Sequence, residues 1–364
     1  MTQRERQILQ WIEENPMISQ QELAKRAGIT RSSVGVHISH LMQKGLISGK
    51  GYILPSAAYI VVAGGANMDV GGISFAPLVA SDSNPGRVRL SLGGVGRNIA
   101  HNTALLGVDT RLIAALGDDL YARQIEDSCS RLGIDISKSL RVPRASTSTY
   151  LFVAGPDGDM AAAVSDMEIC ERLTPEVFAS RLSFINNAQV LVLDANLPGE
   201  SIRWLCEHVR VPIFADPVST AKAEKLRDVL GAIHTLKPNR LEAEALSGVT
   251  ITDEASLNHA ADALLEKGVE RIFLSLGSKG VLAADKTVRF LLPALPGEVR
   301  STTGSGDAFT AALVWAYLEG LDLRKSARAG MSAAAIARES TETINPTMSR
   351  ERLVSRMEAE DKRQ

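Results

Sequence analysis

The chain has 364 residues, 45% of them hydrophobic and 23% charged, with a formal net charge of −2. Those values suit a soluble globular protein with one large domain plus a small one, or two to three average domains. They argue against a strong overall attraction to nucleic acid or membrane. The polar start, Met1 to Arg6, leads into no apolar stretch, and no run of about 18 apolar residues occurs, so neither a signal peptide nor a membrane span is expected. Cys129, Cys170 and Cys206 are odd in number and far apart, which predicts reduced thiols in a cytoplasmic protein.

Residues 1–54 read as a small domain of their own. Ile8, Leu9, Trp11 and Ile12 mark one face of a first helix that Asn15-Pro16 ends. Ser19 with Glu22 three residues on predicts a capping box at the start of a second helix, which Gly28 closes. Thr30 caps a third, from Arg31 to Lys44, with Val34, Ile38, Leu41 and Met42 as its buried side and Gly45 as its stop. Leu46 to Leu54 reads as two short strands around a Gly-Lys-Gly turn. Three helices and a hairpin make a winged helix-turn-helix. Its third helix would enter the major groove with Arg31, Ser32 and Ser33 near base edges, and Lys50 would sit at the wing tip. The segment carries seven Lys and Arg against four Glu, so positive charge gathers where DNA would bind. A winged helix used for protein contacts or dimerisation is the other reading.

Residues 55–58 form a short linker, and from Tyr59 to the end, 59–364, the pattern changes. Apolar runs at 60–63, 111–115, 190–193, 211–215 and 271–275 alternate with helical patterns at 98–106, 200–209, 240–247 and 255–267. The alternation predicts an α/β domain, a largely parallel sheet covered by helices on both faces. Two segments break the rhythm, roughly 70–92 and 146–165, the second a hairpin around Gly155-Pro156-Asp157-Gly158. They are expected to form a small lid over the mouth of the sheet.

Ligands of such sheets bind beyond the C-terminal ends of the strands. After the first strand, Asn67 and Asp69 lie two apart on an extended segment, one side of which would suit vicinal hydroxyls, or they belong to an ordinary turn. Gly93-Gly94-Val95-Gly96-Arg97-Asn98 opens a helix. It lacks the order and the preceding strand of a dinucleotide fingerprint, which argues against bound NAD. Its glycines would let a ligand approach, with Asn98 bridging hydroxyls. Asn239 and Glu242 share one side of a helix start, as Mg²⁺ held through water and phosphate would need, or as a plain helix cap would. Ser275 to Val281, with Gly277 and Gly280, is a strand and glycine turn fit for a nucleotide, or an ordinary hairpin. Near the C-terminus Ser301-Thr302-Thr303-Gly304-Ser305-Gly306-Asp307 runs straight into an apolar helix. Free amides at a helix start form an anion site, and a carboxylate there can take a proton from a hydroxyl. That pairing suggests phosphoryl transfer. No Gly-x-x-x-x-Gly-Lys-Ser/Thr loop is present, so the 304–307 turn would itself be the anion hole, with Arg97, Lys237 and Lys279 as candidate phosphate partners.

Gly93 to Asn98 and Thr302 to Phe309 together resemble the two signatures of the ribokinase-like (PfkB) sugar and nucleoside kinases, and Asn239 to Glu242 resembles that family's Asn-x-x-Glu motif. The resemblance covers about 58–350. It implies a central sheet with helices on both faces and a small β-lid, and MgATP as phosphoryl donor. It also implies Asp307 as base and the amides of Gly304, Ser305 and Gly306 as anion hole. Asn67, Asp69, Gly94 and Asn98 would hold the sugar. Asn239, Ser275, Gly277, Gly280 and Thr303 would hold ATP, and Glu242 with Asn239 the metal. Asp82-Ser83-Asn84-Pro85-Gly86, Asp216-Pro217-Val218-Ser219 and His234 to Glu242 are similar to the pseudouridine kinases within the family, which implies a nucleoside 5′-hydroxyl as acceptor, with Asp82 and Asp166 near it. Another ribosyl nucleoside, a sugar, or a regulator that only senses such a ligand are the alternatives. Many members have Asp where this chain has Ser301, which leaves dependence on a monovalent cation open. Family habit also suggests a homodimer.

Overall fold

The computed structural model describes residues 2–44, 46–47 and 58–361. They form two compact units, Met1–Ala58 and Tyr59–Gln364. In the first unit, α1 (Gln3–Glu14), α2 (Gln20–Ala27) and α3 (Arg31–Gln43) enclose Ile8, Ile12, Ile18, Leu23, Val34, Ile38 and Leu41. Gly28 ends α2 with φ 64°, a left-handed turn that favours glycine. Ser19 Oγ accepts the Glu22 amide at 3.1 Å, but the Glu22 carboxylate pairs forward with Arg26 instead of completing the box. Thr30 caps α3 as expected. Met42 is 41% exposed, because the buried stripe runs Val34, Ile38, Leu41 and the next residue turns about 100° away. The wing turn with Lys50 and most of the linker lie outside the described residues.

The second unit contains, in order, β1 (Ile60–Ala63), β2 (Asn67–Ser74), β3 (Gly86–Gly93), α4 (Val95–Leu105), β4 (Thr110–Ile113), β5 (Ala115–Leu116) and α5 (Leu120–Arg131). Next come β6 (Leu140–Arg141), β7 (Thr149–Ala154), β8 (Met160–Asp166), α6 (Pro175–Ala179), α7 (Leu182–Asn186), β9 (Leu191–Asp194), α8 (Gly199–His208), β10 (Ile213–Asp216) and α9 (Thr220–Ala223). β11 (Thr235–Leu236), α10 (Arg240–Ser247), α11 (Glu254–Glu266), β12 (Arg271–Ser275), β13 (Val281–Asp285), β14 (Arg289–Leu292), α12 (Ser305–Leu318), α13 (Leu323–Arg338) and α14 (Arg350–Asp361) complete it.

The main sheet has eight strands in the order β14-β13-β12-β11-β10-β9-β1-β4, parallel from β12 to β4, with β13 and β14 antiparallel at one edge. Its strands are buried on both faces because alternate residues feed two cores. Val61, Leu191, Leu193, Ile213 and Ile272 join Ile202, Leu246 and Leu264 on one side. Ile60, Val62, Val192, Phe214 and Phe273 join Ile99, Ile125, Phe309 and Leu313 on the other. Continuous apolar runs are what such strands require. The run at 111–115 is not one strand. At Ala114 the amide donates to Ser139 Oγ, and its carbonyl accepts from Leu140, so the ladder passes to the separate β5–β6 pair.

The lid is a four-stranded sheet, β3-β2-β7-β8, with β2 and β7 parallel. Asn67 and Asp69 begin a lid strand rather than occupying a turn. The Gly93-Gly94 segment does have a strand before it, β3, but this is an antiparallel lid strand and not the parallel strand of a dinucleotide-binding unit.

Candidate active site

The C-terminal ends of β1, β9, β10, β11 and β12 converge under the start of α12. Gly304 caps that helix with φ 76°, and a Cβ there would lie 2.0 Å from Thr343 O, so backbone and space both demand glycine. Ser305, Gly306 and Asp307 form the first turn, where the helix itself offers the amides no acceptor. Ser305 is engaged outside the helix, its amide and its Oγ both donating to Thr302 O, at 3.3 and 2.7 Å.

Asp307 is half-buried at this turn, and Asn98 Nδ2 donates to its Oδ2 at 2.9 Å. Desolvation pushes its carboxyl up to about 7, helped by the charges of Asp216 and Asp194 and opposed by Asn98 and Lys237. Lys237 lies beside it and is nearly fully buried. Its Nζ is 3.0 Å from Asp216 Oδ2, and a Cβ on Gly306 would be 3.0 Å from the same nitrogen. Burial works to lower the Lys237 pKa, but Asp216, Glu242 and Asp307 outweigh it and raise it, so the side chain stays an ammonium. Thr310 Oγ1 donates to Asp216 Oδ2 at 3.1 Å. Asp194, fully enclosed, accepts the amides of Gly65 at 2.9 Å and Asn196 at 2.8 Å, and burial raises its pKa.

Asp194 and Asp216 are the residues that motif reading passed over or quoted without a role. A signal for them existed. Each is a lone carboxylate ending an apolar strand, at the sheet edge where ligands of α/β folds bind.

On the lid side, Asn67 Nδ2 donates to Asp69 Oδ1 at 2.6 Å, and desolvation raises the Asp69 pKa. Gly93 leaves room for that carboxylate, since a Cβ there would come 2.4 Å from Asp69 Oδ2. Gly94, with φ 95°, packs on Gly65, where a Cβ would be 2.4 Å from the carbonyl oxygen. The closest approach these glycines permit is therefore between two protein segments. Arg97 is not a phosphate partner. It is buried, with Nη1 donating to Leu92 O and Asn98 Oδ1 and Nη2 bonded to His101 and Ser128, so it orients Asn98. Asp82 is exposed on the β2–β3 connection and accepts the Ser83 amide, outside this group. Asp166 pairs in register with Thr149, while Asp69 pairs with Tyr150 and Tyr150 with Ser165, so Asp166 is on the opposite lid face from Asp69.

Next to the 304–307 turn is a cleft of about 390 Å³. Its lining combines polar groups, among them Lys237, Ser275, Ser305 and Arg338, with the apolar Val281, Leu295, Val299, Phe309, Met331 and Ala334, and with Gly277, Gly280 and Gly306. A lining that joins an ammonium and hydroxyls to apolar side chains suits a ligand with both charged and apolar parts. Thr302 rather than Thr303 lines the cleft, because the exposed Thr303 turns its amide back to Ser301 Oγ at 3.2 Å. Asn239 lines a neighbouring cleft that also contains the exposed Lys279 and shares Ser275 and Gly277 with the first. Asn239 and Glu242 form a reciprocal capping box on α10. The Glu242 amide donates to Asn239 Oδ1 at 3.0 Å and the Asn239 amide to Glu242 Oε2 at 2.8 Å. The plain-cap reading thus describes the pair's own bonds, with one carboxylate oxygen of the buried Glu242 outside the box.

In the helix-turn-helix unit Arg31 and Ser32 are exposed at the start of α3, and the hydroxyls of Ser32 and Ser33 each lie 2.9 Å from Thr30 Oγ1.

This chain belongs to the pfkB family of carbohydrate kinases, whose family model matches residues 57–350. It is a phosphotransferase with an alcohol group as acceptor, preceded by a segment, residues 1–48, that matches winged helix-turn-helix DNA-binding domains. It is 41% identical over 357 residues to the Escherichia coli K12 protein named uncharacterized sugar kinase YeiI, covering 98% of this chain and 99% of that protein. It is 38% identical over 302 residues to the pseudouridine kinase of the same organism, covering 82% of this chain and 96% of the relative. A carbohydrate kinase from Agrobacterium tumefaciens superposes with a TM-score of 0.74 at 29% identity, covering 83% of this chain and 97% of that one. A ribokinase from Arabidopsis thaliana, solved with ribose and ATP, shares the fold with a TM-score of 0.74 at 23% identity, over 83% and 99% of the two chains. Among the described residues no helix is long and apolar enough to cross a membrane.

Proposed function

We propose that this kinase phosphorylates the 5′-hydroxyl of a nucleoside, pseudouridine foremost, with Asp307 as general base and ATP as donor. The observation that carries the mechanism is the joining of Asn98, Asp307 and the Lys237–Asp216 pair at the start of α12. Asp307 takes the hydroxyl proton, the freed oxygen bonds to the γ-phosphorus, and the bond to the ADP oxygen breaks. The amides of Gly304 to Asp307 and the Lys237 ammonium face the charge that spreads over the transferred group. Asn67 and Asp69 hold sugar hydroxyls, and Asn98, fixed by Arg97, aims the Asp307 carboxylate.

Among the described residues no three His, Cys, Asp or Glu side chains form a metal cage. Glu242, whose second carboxylate oxygen lies outside its capping box, with Asn239 would hold a Mg²⁺ that otherwise takes its oxygens from water and phosphate. When bound, the ion neutralises phosphate charge. The pseudouridine kinase relative supports the nucleoside. The longer match to a protein named as a sugar kinase favours, as second reading, a sugar acceptor with the same machinery.

The helix-turn-helix unit binds DNA through Arg31, Ser32 and Ser33, and two copies associate through the outer lid face, where Val88, Leu90, Leu151 and Val164 are exposed. Coupled ADP-release assays over pseudouridine, uridine, other nucleosides, ribose and fructose 6-phosphate test the substrate. Highest kcat/KM on pseudouridine is expected. Tight binding of a ligand without any turnover would instead point to a sensor.

A further inference from the structure

The inner lid face carries more than the sugar ligands. Asp69 stands in register with Tyr150, and Gly71, two residues on, with Phe152. Neighbouring residues in register share a face, so both aromatic rings lie on the Asp69 side. Phe152 comes closer than register requires. A Cβ on Gly71 would be 2.5 Å from its Cζ, so the ring lies over the glycine backbone, about one strand repeat from Asp69. Tyr150 and Phe152 have ring centroids 6.1 Å apart at 37°. The Tyr150 hydroxyl reaches Met160 Sδ at 3.5 Å, which extends the strip with an exposed thioether. Arg89 stands opposite Gly71 on the same face, exposed.

An aromatic strip beside a sugar-binding carboxylate offers a free pentose only contact with its few C–H groups. It suits a flat π system attached to that pentose, because bases stack on aromatic rings for about 1–3 kcal/mol each. We infer that Tyr150 and Phe152 form a nucleobase wall, that Gly71 exists to let Phe152 lie flat, and that Arg89 donates to a base carbonyl. The wall thereby makes this kinase prefer a nucleoside over the corresponding free sugar. The inference rests on the proposed sugar position at Asp69.

The test compares the full chain with Phe152→Ala, Phe152→Tyr and Gly71→Ala, using pseudouridine and D-ribose as acceptors. Phe152→Ala and Gly71→Ala should raise the KM for pseudouridine roughly tenfold or more. The KM for ATP and the kcat/KM on ribose should stay near the parent values, and Phe152→Tyr should restore selectivity. Equal loss on both acceptors, or an unchanged pseudouridine KM, overturns the wall. If neither acceptor is turned over, the kinase substrate reading fails separately, and calorimetric binding decides the wall. Tighter pseudouridine binding by the parent than by Phe152→Ala supports it, while equal or absent binding overturns it.

Discussion

Replacing Asp307 by Asn separates the catalytic role proposed for this residue from its structural burden. In the folded protein the carboxyl titrates near 7, against an ordinary value of 3.8. Between about pH 4 and 7 the native state keeps a proton that the unfolded chain has released. Stability therefore falls as pH rises through this window and levels off above it. The full separation corresponds to about 4 kcal/mol. Asp307 retains solvent contact, and screening reduces the expected effect to roughly 1–3 kcal/mol. Asn carries no such charge. Asp307→Asn should match the parent near pH 4.5 and exceed it in unfolding midpoint at pH 8, while kcat drops roughly 10²–10⁴-fold for want of a base. Urea unfolding of both proteins from pH 4.5 to 8.5, beside kcat/KM profiles, measures both effects. The parent profile should climb to a plateau near pH 7. A variant whose stability tracks the parent at every pH, or which turns over at a near-parental rate, refutes the assignment.

Lys237→Met should lower kcat more than nucleoside KM, and it should destabilise the fold by roughly 3 kcal/mol by stranding buried Asp216. Adding Asp216→Asn should recover stability without activity, as thermal melts and initial rates would show. Gly304→Ala forces a Cβ against Thr343 O at a left-handed position, so turnover should collapse even where circular dichroism shows the sheet intact. Arg31→Ala should leave kinase rates unchanged while weakening DNA binding and flattening its salt dependence in fluorescence anisotropy. Leu90→Asp on the outer lid face should shift the mass measured by light scattering from dimer to monomer, and an unchanged mass would exclude that face as the interface.

Much of the fold was local enough to read from the chain. The strands at 60–63 and 271–275 declare themselves as apolar runs, since a strand covered on both faces needs no polar side. The caps at Thr30 and Asn239, the left-handed Gly28, and the glycine turn before Asp307 are short-range devices whose partners lie within a few residues. Other features depend on remote partners. In the sequence Arg97 has the setting of a phosphate ligand, but Leu92 and Ser128 hold its guanidinium. Glu22 left its box for Arg26, and Met42 fell just past the buried stripe.

By itself the sequence determined the layered α/β architecture, the small helical unit that precedes it in the chain, and the glycine turn that carries Asp307. Only the tertiary structure decided what Asp307 meets. Asn98 and Asp307 are 209 residues apart, and Asp216 finds Thr310 across 94. Which lid face Tyr150 and Phe152 share with Asp69 depends on strand register. Periodicity and capping act within one or two turns of chain, whereas the pKa of Asp307 and the shape of the site depend on strands and helices that packing alone brings together.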